Sequence, residues 1–231
     1  MQQTGKIALD PRLSMIARLV GSCETCADIG CDHGRLGAFL LQQKQCRRVV
    51  LTDISAPSLN KARALIGNLG LEDRAAFAVG SGALALAGPV DCAVIAGMGG
   101  VTIAGVIREG REKLGNARLI LQPNVAAPQL RQALSACDYE IYDEHVAQDG
   151  RRNYVVICAR PGKSEYTEMQ QVVGPVLLAR LPEELTPYAK FRLRVARKAL
   201  TGAQSSGDQS QAAPLEREIA IWEEVLACPR P

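Results

Sequence analysis

The sequence predicts a doubly wound α/β fold, a mostly parallel sheet with an antiparallel hairpin at its end and a small helical part after it. Three observations predict it. Apolar runs without polar alternation recur between residues 26 and 122, as strands covered on both faces require. Segments of helical period separate those runs. The first run leads straight into the glycine turn Gly30-Cys31-Asp32-His33-Gly34, where folds of this kind bring backbone up to a ligand.

The elements follow in order. Asp10 and Pro11 open the first helix as N-cap and first helical residue, and Leu13, Ile16 and Val20 give it one apolar face. Residues 26–29 form the first strand and 35–43 its helix; 48–53 form the second strand, followed by a helix over 57–69. Residues 76–79 are a weaker third strand, 92–96 a strong fourth and 118–122 a strong fifth, with a helix over 101–114 between the last two. A helix over 128–137 then leads to two β-rich runs, 139–146 and 153–159, joined by Gln148-Asp149-Gly150-Arg151, and Asp-Gly between such runs signals a hairpin. A parallel sheet ending in one antiparallel hairpin is the layout of class I methyltransferases. The breakers Arg160-Pro161-Gly162-Lys163 close this domain, placed at residues 1–162.

Residues 163–231 carry few strand signals. Helices are expected over 188–200 and 215–226, separated by a polar segment over 201–210. Leu215, Ile219, Trp222 and Leu226 form a seam that one partner helix can cover, so an antiparallel, coiled-coil-like hairpin is expected. Its first helix carries Lys190, Arg192, Arg194, Arg197 and Lys198 with no acidic residue among them. Arg194, Arg197 and Lys198 share a face and are expected to meet a phosphate backbone.

The glycine turn also limits the ligand. A dinucleotide fingerprint counted from Gly30 requires glycine at Asp32 and a small residue at Arg35. Carboxylates beside a pyrophosphate would repel it, which disfavours a nicotinamide dehydrogenase. S-adenosylmethionine carries no phosphate and presents an ammonium, a sulfonium and an adenosine. Asp28 and Asp32 suit that cation, and Asp53, ending the second strand next to Ile54, suits the ribose hydroxyls. Gly80-Ser81-Gly82 follows the third strand, where adenine is gripped. Gly97-Met98-Gly99-Gly100 follows the fourth and leaves backbone bare for a close approach. Gln122 and Asn124 bring two amides to the same mouth, where they either read a base edge or cap turns. His33 is placed for proton transfer or for a turn hydrogen bond.

Composition sets the outer limits. The chain has 231 residues, 47% hydrophobic and 22% charged with net charge +3, ordinary values for a globular protein with one full domain and a small appendage. Met1-Gln2-Gln3-Thr4 opens without the order of a signal peptide, and no run is long enough to cross a bilayer, so a cytoplasmic, membrane-free protein is expected. Of the eight cysteines, Cys31, Cys92 and Cys158 fall in or beside buried strands as small apolar residues of a reducing compartment. Cys23-Glu24-Thr25-Cys26 has no second pair to complete a zinc site, so it reads as structural and no metal is expected.

These residues together resemble the bacterial tRNA adenine-22 N1-methyltransferase family over nearly the whole chain. The resemblance rests on Arg12-Leu13, on Asp28-Ile29-Gly30-Cys31-Asp32-His33, on Ile95-Ala96-Gly97-Met98-Gly99-Gly100 and on Leu119-Ile120-Leu121-Gln122-Pro123-Asn124. Asp149-Gly150 with Tyr154-Val155-Val156, and Val173-Gly174-Pro175, extend it. One departure is Ser81, where the family has aspartate between two glycines. The resemblance implies methyl transfer from S-adenosylmethionine to adenine N1 in the tRNA D-arm by a monomer or weak dimer. The alternative is another RNA base or a small molecule as acceptor. It implies a cofactor site of Asp28, Gly30, Asp32, His33, Asp53, Ile54, Gly80, Ser81, Gly82 and Gly97. Arg12, Gln122, Asn124, Arg194, Arg197 and Lys198 are the expected RNA contacts, and His33, Gly97, Met98 and Asn124 stand nearest the reacting centre.

Overall fold

The computed structural model describes residues 5–150, 152–206 and 209–227. The opening Met1-Gln2-Gln3-Thr4, Arg151 of the hairpin turn and Gly207-Asp208 of the polar segment lie outside the described residues. The strands are β1 (Cys23–Ile29), β2 (Cys46–Asp53), β3 (Ala75–Val79), β4 (Cys92–Met98), β5 (Arg118–Pro123), β6 (Tyr139–Asp149) and β7 (Arg152–Pro161). They form one sheet in the order β3-β2-β1-β4-β5-β7-β6. The first five run parallel, β7 lies antiparallel to β5, and β6 pairs antiparallel with β7.

Both faces are covered, which is why the strands read as unbroken apolar runs. On one face α1 (Pro11–Val20), α2 (Arg35–Gln42) and α3 (Ala56–Asn68) bury Ile16, Leu40 and Ile66 against Val49, Val94 and Ile120. On the other, α4 (Gly100–Glu109) and α6 (Ala127–Ala136) bury Ile103, Ile107, Leu130 and Leu134 against Ile29, Ile95 and Leu121. Each such side chain contributes about 1.5–3 kcal/mol by leaving water. Asp10 caps α1 as expected, its Oδ1 accepting from the Leu13 N–H at 2.7 Å.

The differences from expectation have local causes. β1 starts at Cys23, three residues early, because the ladder with β2 begins at the Cys23–Cys46 pair. The helix expected over 101–114 is two, α4 and α5 (Arg111–Leu114), broken at Gly110, where any Cβ would collide with Ala83. Two short helices, α7 (Glu168–Val173) and α8 (Pro175–Arg180), fill the stretch left without assignment. The hairpin helices are longer than expected, α9 (Leu185–Ser206) and α10 (Gln209–Ala227), and take in most of the polar segment. There the Thr201 and Ser205 hydroxyls are satisfied within the helix, donating back to the Arg197 and Thr201 carbonyls at 3.1 and 2.8 Å. The pair docks on the sheet, with Leu185, Tyr188, Ala189, Trp222 and Val225 joining the core of the α4–α6 face.

Candidate functional site

The carboxyl ends of β1, β2, β3 and β4 open onto a crevice of roughly 650 Å³ beside the point where strand order reverses. Its lining contains Asp28, Gly30, Asp32, His33, Asp53, Ile54, Gly80, Ser81, Gly82 and Gly97, so the geometry brings the whole expected cofactor set together. Arg12 and Met98 join them, as do Thr102 and Val106 of α4, which the sequence reading did not single out.

Two carboxyl groups dominate the chemistry. Asp28 is almost fully buried and accepts one long hydrogen bond, from the Gly37 N–H at 3.3 Å. Burial pushes its pKa up to about 7; the Gly37 N–H opposes the rise and the Asp53 charge adds to it. Asp53 is half-buried, and its two oxygens accept from the Asp32 N–H at 3.0 Å and the Ser55 N–H at 2.8 Å. Local turn bonding and a binding role therefore coexist at Asp53, since each oxygen keeps a lone pair. Asp32 holds φ of 48°, the left-handed conformation that a fingerprint glycine would supply. Two carboxyls and no compensating cation in the turn make a poor phosphate cradle, while buried Asp28, short of partners, fits an ammonium. The donor set fits S-adenosylmethionine.

Outside the turn the lining is mixed. Ile54 is 77% exposed at the rim, an apolar surface with no neighbour covering it. Ser81 is exposed at the β3 end with no side-chain bond to the turn that follows. His33 sits on the outer rim, its Nε2 at 3.2 Å from Lys61 Nζ and 3.5 Å from Asp32 Oδ1.

The Gly97 turn is held by a side-chain network. Gln122 is fully buried; its Oε1 accepts from Arg12 Nη1 at 2.7 Å and from the Gly97 N–H at 3.2 Å, and its Nε2 donates to Asn124 Oδ1 at 3.0 Å. Asn124 Nδ2 in turn donates to the Gly97 carbonyl at 2.8 Å. Both ends of the Gln122 amide are used, so it braces the turn. Asn124 is exposed beside it. Gly97 has φ of 80°, and Met98 closes over Gly30. The Arg12 guanidinium lies 5.7 Å above the Tyr154 ring, a contact between two residues that the sequence places in separate motifs.

Arg194, Arg197 and Lys198 stand apart from the crevice, on α9. Two of the five α9 cations are neutralised by α10: Arg192 donates to Glu218 at 2.7 Å and Arg197 to Glu223 at 2.6 Å. The expected Arg194–Arg197–Lys198 face is thus interrupted by an ion pair, and exposed Lys190, Arg194 and Lys198 are left at four-residue spacing along one stripe.

The comparisons agree with this geometry. A family model described as a methyltransferase domain matches residues 9–157. The tRNA (adenine(22)-N(1))-methyltransferase of Bacillus subtilis is 30% identical over 159 residues, covering 68% of this chain and 67% of that protein. A putative tRNA methyltransferase of Mycoplasma pneumoniae is 33% identical over 175 residues, covering 72% of this chain and 80% of that one. Among solved structures, a protein of the NADB-Rossmann superfamily from Streptococcus agalactiae superimposes with a TM-score of 0.86 at 27% identity, covering 96% of this chain and 98% of that one. The chain belongs to the methyltransferases and, within them, to the tRNA (adenine(22)-N(1))-methyltransferase family.

Proposed function

We propose that this protein methylates N1 of an adenine in tRNA, position 22 of the D-arm, with S-adenosylmethionine as donor. The observation that carries the reading is the pair of carboxyls at the strand ends, Asp28 buried and short of partners and Asp53 at the rim, in a crevice whose glycine turn adds the carboxylate of Asp32. The family supplies the acceptor. When bound, S-adenosylmethionine supplies an electrophilic methyl group on a sulfonium.

The rest of the work falls to this chain's own residues. Asp28 receives the ammonium, with Gly30, Asp32 and His33 as the turn around it. Asp53 accepts the ribose hydroxyls, Ile54 covers one face of the adenine, and Gly80-Ser81-Gly82 borders it, with the Ser81 hydroxyl as the weak acceptor available there. The Gly97-Met98 turn, braced by Gln122, presents bare backbone where the target base enters, and Asn124 and Arg12 flank that entry. Adenine N1 carries a free lone pair at neutral pH, so no residue has to remove a proton, and catalysis rests on holding the base in line. His33 at the rim then acts as a turn residue. We divide the chain at residues 162 and 163 into a cofactor domain and a tRNA-contacting helical hairpin, working in the cytoplasm as a monomer or weak dimer.

The test is incubation of the purified protein with tRNA transcripts and S-adenosylmethionine, followed by nucleoside mass spectrometry. 1-Methyladenosine is expected, and its loss from a transcript with guanosine at position 22 fixes the site. A different methylated nucleoside, or none, would overturn the proposal.

A further inference from the structure

At the end of the sheet opposite the crevice, three thiols converge. The Sγ atoms of Cys23, Cys26 and Cys46 all lie within 4.8 Å of one another, with Cys23 and Cys46 at 3.1 Å. Cys23 faces Cys46 across the β1–β2 ladder, and Cys26 faces Cys92 across the β1–β4 ladder. Cys26 and Cys46 are buried and Cys23 is half-buried. The sequence reading met one CxxC pair and expected no metal; the fold adds a third thiol from the next strand.

Thiolates select thiophilic cations. Zinc bound by thiolates at about 2.3 Å sets its sulfurs about 3.8 Å apart in a tetrahedron. That edge lies above the closest contact here, 3.1 Å, and below the 4.8 Å within which all three sulfurs fall. Beside Cys23 the surface is open and lined by Ser22, Lys44, Gln45, Arg47 and Arg74. Their positive charge offsets the single net negative charge of three thiolates on a divalent cation, although Arg47 shares its charge with Glu24 at 3.2 Å.

We propose that Cys23, Cys26 and Cys46 form a zinc site, three thiolates on the metal and a water in the fourth position at the basic opening. Each thiol gives up its proton as its sulfur–metal bond forms, so three protons leave per ion bound. None of the three cysteines lines the crevice: along extended β1, Cys23 lies five residues and Cys26 two residues before Asp28, about 17 and 7 Å. The metal therefore clamps the starts of β1 and β2 and takes no part in methyl transfer.

The test uses the full chain, reduced and freed of metal under anaerobic conditions, titrated with cobalt(II) and then with zinc. One equivalent of cobalt is expected to give a sulfur-to-cobalt charge-transfer band with tetrahedral visible bands, and zinc to displace it. Zinc should also raise the thermal midpoint by several degrees. Cys23→Ser and Cys46→Ser should each lose both effects, Cys137→Ser should keep them, and circular dichroism checks that all three fold. Absence of the band in the reduced wild type, or its persistence in both variants, would overturn the proposal. So would a reduced chain that forms a Cys23–Cys46 disulfide in air yet takes up no cobalt.

Discussion

Asp28 sets cofactor affinity against stability. Its carboxyl ionises near pH 7 in the folded chain against an ordinary 3.8, chiefly because burial penalises the charged form. Between those values the folded chain keeps a proton that the unfolded chain has released. The contribution of Asp28 to stability is therefore full below pH 3.8 and is lost as pH rises through 7, on the order of 4 kcal/mol at the limit. Asp28→Asn removes that loss while keeping an acceptor for the Gly37 N–H. The variant should gain about 1–3 kcal/mol at pH 8 in urea unfolding without cofactor. Its affinity for S-adenosylmethionine should fall about tenfold to a hundredfold by calorimetry, and wild-type affinity should climb with pH to a plateau above 7. A variant that binds as tightly as wild type would remove Asp28 from the ammonium site. Asp53 makes the companion case: it already accepts two backbone N–H groups, so Asp53→Ala should cost affinity through the lost ribose contacts and some order in the turn. A loss on the order of 2–4 kcal/mol is expected, and unchanged affinity would exclude it.

At the scale of elements, the α9 charges separate into two kinds. Arg192 and Arg197 are held by Glu218 and Glu223 and secure the hairpin, while Lys190, Arg194 and Lys198 form an exposed stripe. Neutralising that stripe should weaken tRNA binding and flatten its salt dependence by about two to three units of log–log slope. Arg197→Gln together with Glu223→Gln should leave the slope where it was. Equal effects of the two sets would show that the field of the hairpin as a whole, and not the stripe, meets the RNA. The sequence carries the five cations but not their partners, because Glu218 and Glu223 lie on the other helix. The same limit recurs elsewhere. Strands β1, β2, β4 and β5 and the crevice turns were legible, since burial leaves apolar runs and close approach demands glycine, while edge strand β3, with no buried residue, gave the weaker signal. The brace of Gln122 on Gly97 and Arg12 was not, nor was Cys46 beside Cys23, because each contact joins residues that only the sheet order brings together. The length of α9 and α10 was hidden by polar residues whose weak propensity is overridden once the two helices pack.

For the whole molecule, the question is what holds the helical part to the sheet. Arg131 of α6 and Glu144 of β6 are fully buried and joined at 2.8 Å. Arg131 also donates to the Gln171, Val172 and Val173 carbonyls at 2.8, 3.0 and 3.1 Å, capping the end of α7. Glu144 accepts from the Val176 and Leu177 N–H groups at 3.0 and 3.4 Å, at the start of α8. The pair thus bolts the α7–α8 corner onto the sheet domain. Val173-Gly174-Pro175 lies on that bolt: Gly174 holds φ of 119°, and a Cβ there would strike the Glu144 carboxylate. Glu144→Gln leaves a buried guanidinium without its counter-charge, which costs about 3–5 kcal/mol. Arg131→Met strands the carboxylate and should cost a similar amount. Arg131→Met with Glu144→Gln should lose less than the two single changes combined, because neither charge is left alone. Urea unfolding of the four proteins measures the coupling. Proteolysis within residues 163–167 should speed up in each single variant as the corner lifts. Additive losses with no change in proteolysis would show that the C-terminal helices are held by the apolar contacts of Leu177, Leu185 and Tyr188 alone.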